Sequence, residues 1–129
     1  MGSNIEYRFD GSVTSPNTVN AIIIPVADDQ YVQVKVFAVY GTVVGGAGLG
    51  GVNDYYLFCT AHAAMGVAMI DVPVFDTIAA ADLTGKIDID ALGGVLRIRI
   101  KSPTGGTNVT NWALRASVDI VDNIYYAPS

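Results

Sequence analysis

Length, composition and charge limit what this chain can be. Its 129 residues are the usual size of one domain and leave no room for a second, so we expect a single domain over residues 1–129. Hydrophobic residues make up 51% of the chain and charged residues only 15%, which predicts contact with other chains. The net charge of −5 would repel a phosphate backbone and so excludes a nucleic-acid partner.

Alternating apolar and polar residues predict three strands in the first third of the chain. Residues 5–9 alternate with period two, and the turn-rich stretch 10–17 follows them. Residues 18–24 carry three successive isoleucines and stop at Pro25, which cannot donate a hydrogen bond to a central ladder. The longest alternating run in the first half covers residues 31–44 and predicts a long strand.

The middle of the chain is harder to interpret. Six glycines fall in residues 41–51, which predicts a long mobile loop because each glycine adds backbone freedom that folding must remove. Residues 55–72 favour two strands broken at Gly66, although the alanine-rich residues 59–69 are also compatible with a short helix. A connection through Pro73, Asp76 and residues 79–82 leads to an edge-like strand over residues 86–92.

The last third gives the clearest pattern. Residues 96–101 and 112–120 each alternate apolar with polar side chains, and the proline- and glycine-containing residues 102–108 lie between them. We therefore predict an antiparallel hairpin with one apolar face, on which Trp112 is a core anchor. Seven to nine short strands at this spacing predict an all-β fold, an antiparallel β-sandwich of jelly-roll-like type.

Motifs that carry chemistry are weak. Gly46, Gly48 and Gly51 spell G-x-G-x-x-G, with Asp71 further on, but a dinucleotide site needs a helix after the last glycine, and strand-like residues follow here. His62 is the only histidine and lacks the cysteine and histidine cluster of a zinc site, so we expect it to be partly buried and hydrogen-bonded. The sequence predicts no catalytic residue, no metal and no cofactor, and therefore a protein that is not an enzyme.

The basic residues are unevenly spread. Four of the seven lie near the carboxyl end. Three of them, Arg97, Arg99 and Lys101, share one face of a strand, and they form either a solvated face, paired laterally with Asp88 and Asp90, or a basic stripe that binds an acidic partner. Two tail tyrosines lie outside any strand pattern and suit contact with another chain. The interface candidates are therefore Arg97, Arg99, Lys101, Arg115, Tyr125 and Tyr126.

Targeting signals are absent from the sequence as read. No basic and apolar leader opens it, and no apolar run reaches the roughly 18 residues of a membrane span, so we expect neither export nor a membrane partner. One cysteine, Cys59, cannot form an internal disulfide, which favours folding in a reducing compartment. The sequon at Asn108 is then a chance match.

Two segments resemble a known family. Residues 93–121, which contain LRIRIKSPTGGTNVTNWALRASVDIV, resemble the closing hairpin of small β-domains in tailed-bacteriophage virion proteins. Residues 15–46 are similar to the opening of the same domain, a strand, an aspartate turn and a long strand ending in glycines. The resemblance covers about half of the chain, and it implies a virion structural role, often as a trimer, with Trp112 as a packing residue and no catalytic residue.

The resemblance leads to two functional hypotheses. Because no anchor, coiled coil or collagen-like shaft precedes the domain, we expect a capsid decoration (cement) protein. It would bind the major capsid protein on the capsid surface as a homotrimer assembled in the host cytoplasm, with residues 1–14 and 122–129 as inter-subunit arms. The alternative is a tail-fibre or receptor-binding module that contacts a host glycan or protein. A nucleotide-dependent activity at the glycine segment is a third possibility, from the enzyme class.

Overall fold

Eight strands make up most of the part of the chain that the structure describes. The structure is a computed structural model, and it describes residues 2–14, 18–44, 48–78, 87–101, 109–122 and 124. In chain order the strands are β1 (Gly2–Thr14), β2 (Thr18–Pro25), β3 (Tyr31–Val44), β4 (Gly48–Ala64), β5 (Val67–Ile78), β6 (Ile87–Leu92), β7 (Val95–Lys101) and β8 (Val109–Val121). None of the described residues forms a helix long and apolar enough to cross a membrane.

The strands form two packed antiparallel sheets. The five-stranded sheet has the order β1-β8-β3-β4-β5, and the three-stranded sheet has the order β2-β7-β6. Strand β1 pairs with β8, and β2 pairs with β7, so the two ends of the chain run together in nested pairs, as in a jelly roll. The hairpin of β4 and β5 stays in the larger sheet beside β3. The predicted all-β sandwich is confirmed.

Alternation along the strands places one row of side chains from each sheet in a shared core. The larger sheet contributes Val34, Leu57 and Leu114, and the smaller contributes Leu96 and Ile98, all with at most 1% of their surface exposed. Full burial of such a side chain contributes roughly 1.5–3 kcal/mol, so these rows hold the two sheets together. Trp112 is 2% exposed and belongs to the same core.

Residues 96–101 and 112–120 form strands as predicted, but the predicted hairpin between them is wrong. These segments became β7 and β8, but β7 pairs with β2 and β6, whereas β8 pairs with β1 and β3. They lie in different sheets, and their apolar sides meet across the core. Alternation shows that a strand has one buried face, and it does not show which strand is its hydrogen-bonded neighbour. The turn predicted over residues 102–108 lies outside the described residues.

The predicted mobile loop over residues 41–51 is also wrong. Strands β3 and β4 remain paired as far as Val44 and Gly48, and only residues 45–47 between them lie outside the described part. Strand β3 is also paired with β8 up to Val43, so hydrogen bonds from both sides offset the backbone freedom of glycine. Because Gly51 lies within β4, the helix that a dinucleotide site requires does not follow it.

Tight turns agree better with the sequence. The expected break at Gly66 is confirmed, since β4 ends at Ala64 and β5 begins at Val67. Met65 and Gly66 have φ angles of 55° and 79°, the left-handed pair of a two-residue hairpin turn. The alternative of a helix over residues 59–69 is thereby excluded. The predicted connection through Pro73 and Asp76 is wrong, because β5 continues to Ile78.

The two predicted terminal arms differ. Residues 2–14 form the edge strand β1, and its pairing with β8 extends to Thr14, through part of the predicted turn over residues 10–17. Near the other end, Gln30 Nε2 donates a hydrogen bond to Asp122 Oδ1 at 2.7 Å, and the Ile124 amide donates one to the Asp29 carbonyl at 3.1 Å. Residue 123 and residues 125–129 lie outside the described part.

Candidate functional site

The predicted interface residues are distributed over both outer faces of the sandwich. Arg97, Arg99 and Lys101 lie on β7 in the three-stranded sheet, while Arg115 lies on β8 in the five-stranded sheet. In each strand these residues alternate with core residues, so their side chains point away from the core in opposite directions. The structure therefore places Arg97, Arg99 and Lys101 on one outer face and Arg115 on the other. Tyr125 and Tyr126 lie outside the described residues.

The arginines of β7 are paired with aspartates of β6. Arg97 donates to both carboxylate oxygens of Asp90, from Nε at 2.8 Å and from Nη2 at 2.5 Å. Arg99 binds Asp88 in the same way, at 3.0 Å and 2.7 Å. The predicted lateral pairing is confirmed, and this face carries a ladder of two bidentate ion pairs.

The ion pairs shift the acid–base properties of the residues that make them. The hydrogen bond from Arg97, aided by the nearby charge of Arg99, holds the pKa of Asp90 below its ordinary value of 3.8. The hydrogen bonds that Arg97 and Arg99 donate to Asp90 and Asp88 in turn raise the pKa values of the two arginines. These arginines are already neutralised within the fold, which leaves little charge for an acidic partner.

A different arrangement crosses the outer face of the five-stranded sheet. In the register of the strands, Arg8 of β1 lies opposite Arg115 of β8, Arg115 lies opposite Phe37 of β3, and Phe37 lies opposite Tyr56 of β4. We call these four residues the outer row. Neighbouring strands are about 4.8 Å apart, so the row crosses three gaps and extends for about 14 Å. It places two guanidinium groups and two aromatic rings in line.

All four side chains of the outer row are accessible to solvent. Phe37 is 51% exposed and Tyr56 39% exposed, and Arg8 and Arg115 are exposed as well. Shallow clefts follow the row, and Arg115 contributes to the wall of each. A concave surface that joins exposed aromatic rings to a few polar groups is typical of ligand sites, so the outer row is the candidate functional site.

Unlike the arginines of β7, the two arginines of the outer row have no carboxylate partner in the described part of the chain. Among the residues that the structure describes, neither Arg8 nor Arg115 makes a salt bridge or a side-chain hydrogen bond. Glu6 and Asp10 line the adjacent clefts without closing on either guanidinium. The donors of both arginines are therefore free to bind a ligand.

A histidine–aspartate pair lies farther along the same sheet. Nδ1 of His62 is 2.7 Å from Oδ2 of Asp71, and both side chains are partly exposed. The expected partly buried, hydrogen-bonded histidine is thus confirmed. Cys59 points into the core instead, where burial raises the pKa of its thiol to about 11 and makes it a poor nucleophile. No cluster of three or more metal-ligating side chains occurs in the described part of the chain.

Sequence reasoning missed three residues of the outer row, namely Arg8, Phe37 and Tyr56. Phe37 carried a signal that could have been used, because it follows Gln33 and Lys35 on the polar side of the alternation in β3. An aromatic residue in a polar register is exposed, and exposed aromatic residues are favoured at binding sites. Arg8 carried no such signal, since its neighbour Arg115 is distant in sequence.

Comparisons with known proteins give structural matches only. No protein-family model matches the sequence. No curated protein matches it either. Among solved structures, the chain is similar to a tailspike protein of Acinetobacter baumannii bacteriophage Fri1, a capsular polysaccharide depolymerase, with a TM-score of 0.51 and 12% identity over 98% of this chain. A tailspike protein of Acinetobacter baumannii phage AM24 matches with a TM-score of 0.44 and 8% identity over 95% of this chain.

The matches concern small parts of long proteins. The chain corresponds to 18% of the Fri1 tailspike chain and 26% of the AM24 tailspike chain. At such low identity the likeness to the Fri1 protein shows the fold alone, a β-sandwich that also occurs in a phage tailspike. The prediction that the protein is not an enzyme is wrong on this finding, because the protein that shares the fold is itself a depolymerase. The fold gives no ground for excluding catalysis.

Proposed function

We propose that this chain is a receptor-binding module of a phage tail that contacts a glycan on the host surface. The observation that carries the proposal is the outer row, in which exposed Phe37 and Tyr56 adjoin Arg115 and Arg8 across four strands. The fold supports the same conclusion, since it occurs in a tailspike described as a capsular polysaccharide depolymerase. A virion location follows from the proposal.

The chemistry of the outer row suits a saccharide. A sugar ring has apolar C–H faces, which pack against an aromatic ring, and a rim of hydroxyl groups, which need hydrogen-bond partners. Phe37 and Tyr56 supply the aromatic surfaces, and the guanidinium of Arg115 supplies several donors in a fixed plane. Lys35 and Ser117 line the same cleft and add polar groups beside the rings. A chain of sugars lying along the row would meet all of these groups.

A second candidate is capsid decoration, and a different surface favours it. At one end of the sandwich, the turn between β4 and β5 and the turn between β6 and β7 expose a group of apolar side chains. The members of this apolar end are Met65, Val67, Met69 and Leu92. In that role the apolar end would contact the major capsid protein, and trimers would form on the capsid surface. Neither matched structure is a decoration protein, so we rank this candidate second.

Binding to immobilised polysaccharides tests the proposal directly. We expect the purified protein to bind at least one member of a panel of bacterial surface polysaccharides, and the double variant Phe37→Ala, Tyr56→Ala to lose that binding. Leu92→Ala is the matched control, because it removes an exposed apolar side chain from the apolar end. Retention of binding in the double variant, or no binding to any polysaccharide, would reject the proposal.

Imaging separates the two candidates. Electron microscopy of phage particles with a labelled antibody against this chain should show label at the tail. Label spread over the head instead would favour capsid decoration and reverse our ranking.

A further inference from the structure

We propose that Arg8 and Arg115 form a subsite for the carboxylate group of an acidic sugar. This inference rests on the proposed function and adds the class of saccharide that the outer row binds. It is carried by the register of β1 and β8, which sets the two guanidinium-bearing residues directly opposite each other.

Like charges directly opposite each other on neighbouring strands destabilise a sheet. Arg8 and Arg115 are in this position, and no described carboxylate pairs with either of them. Keeping the two arginines opposite each other therefore lowers the stability of the sheet. Proteins accept such a loss of stability at residues that serve a function such as ligand binding. A bound carboxylate would relieve the repulsion, because its two oxygens accept hydrogen bonds from guanidinium groups in a bidentate geometry.

The same chain shows how an arginine on a strand is neutralised when no ligand is needed. In the three-stranded sheet, Arg97 lies opposite Asp90 and Arg99 lies opposite Asp88, and each pair closes with two hydrogen bonds. In the five-stranded sheet, the position opposite Arg8 holds a second arginine instead of an acid. The missing carboxylate is the group that we assign to the ligand.

The carboxylates of Glu6 and Asp10, near Arg8 and Arg115, limit the negative charge that a bound ligand can carry. Glu6 lines one cleft with Arg8 and Arg115, and Asp10 lines another with the same two arginines. Lys35 lines a third cleft with Glu6 and Arg115, so the three clefts together have three cations and two anions among their lining residues, an excess of one positive charge in a chain with a net charge of −5. One carboxylate balances that excess, whereas a densely charged polyanion would be repelled by the rest of the surface.

Phe37 favours a ligand that has an apolar surface beside its carboxylate group. It lies next to Arg115 in the outer row, so a group bound by the arginines has an exposed aromatic surface on one side. A sugar that carries its own carboxylate presents both parts at once, the anion to the guanidinium groups and a C–H face to the ring. The site thus favours uronic acids and other carboxylate-bearing sugars over neutral sugars.

The test uses a panel of acidic capsular polysaccharides, each in its native form and in a form with its carboxyl groups reduced to alcohols. We expect at least one native polysaccharide to bind, its reduced form to bind at least about tenfold more weakly, and Arg8→Gln and Arg115→Gln each to weaken the native form to a similar extent. Arg99→Gln is the matched control, because it removes an arginine whose charge is already paired. It should leave the affinity unchanged.

Three outcomes overturn the inference. Equal binding of native and reduced polysaccharide, with unchanged affinity in Arg115→Gln, would remove the carboxylate subsite but leave the proposed glycan-binding function intact. Equally tight binding of poly-glutamate would identify an acidic peptide as the ligand. Absence of binding to every polysaccharide in either form would reject the proposed function and this inference together. Thermal unfolding of each variant shows that loss of binding is not loss of the fold.

Discussion

On the outer face of the three-stranded sheet, Arg97 and Arg99 each lie opposite an aspartate, while on the outer face of the five-stranded sheet Arg8 lies opposite Arg115. Both faces belong to a protein with only seven basic residues, so the contrast does not arise from an abundance of arginine. The first arrangement satisfies its own charges and belongs to the fold. The second leaves donors and positive charge unsatisfied and adjoins exposed aromatic rings, and for this reason we propose it as the binding surface.

The largest expected effect is a difference in the free energy of unfolding between a substitution on the inner side of the five-stranded sheet and one on its outer side. Trp112→Ala removes a buried ring from the core and should lower the free energy of unfolding by about 3–5 kcal/mol. Phe37→Ala removes an exposed ring from the outer row and should lower it by less than about 1 kcal/mol. Urea unfolding of both variants measures the difference. Similar losses would mean that Phe37 serves the core, and the outer row would lose its status as a binding surface.

A smaller effect, an increase in stability on removal of a side chain, is expected at Arg8 and Arg115. Arg8→Gln removes one of two like charges that face each other, so it should raise the free energy of unfolding by about 0.2–1 kcal/mol at low salt. Added salt should reduce the gain, because the charges are exposed. Arg99→Gln should not stabilise the protein, since it breaks an ion pair. Stability unchanged or lowered in Arg8→Gln would show that the two arginines do not repel each other as described.

The smallest effect concerns the paired face and depends on pH. Because the pKa of Asp90 is lower in the folded protein than its ordinary value of 3.8, the Arg97–Asp90 pair stabilises the fold above that pH. The contribution is lost as the pH falls through the folded-state pKa. Asp90→Asn should therefore melt a few degrees at most below the wild type at neutral pH, and this difference should shrink as the pH falls below 3.8. Melting curves across this range measure the effect, and a gap that persists in acid would assign it to packing.

The sequence was sufficient for features that depend on local alternation. The inward rows around Val34, Ile98 and Leu114, the hairpin break at Gly66 and the end of a strand at Pro25 all follow from period-two patterns and turn chemistry. Pairing between strands does not follow from such patterns. Alternation therefore located β7 and β8 correctly and still misidentified them as one hairpin.

The candidate site was less predictable for the same reason. The opposition of Arg8 and Arg115 exists only because β1 and β8, from the two ends of the chain, align in one particular register. Residues 41–51 show how a local pattern can mislead. Their six glycines suggest a mobile loop, but β3 pairs with a strand on each side, which local composition does not reveal. A register that joins distant segments carries the functional information here, and no local pattern encodes it.

The most direct test of the binding surface is to map where a ligand lies. An NMR titration of the isotope-labelled protein with a fragment of a bound polysaccharide should shift the amide signals of Arg8, Phe37, Tyr56 and Arg115 and leave those of Asp88 and Arg99 unchanged. Shifts that cluster on β2, β7 and β6 instead would place the ligand on the paired face and contradict this account.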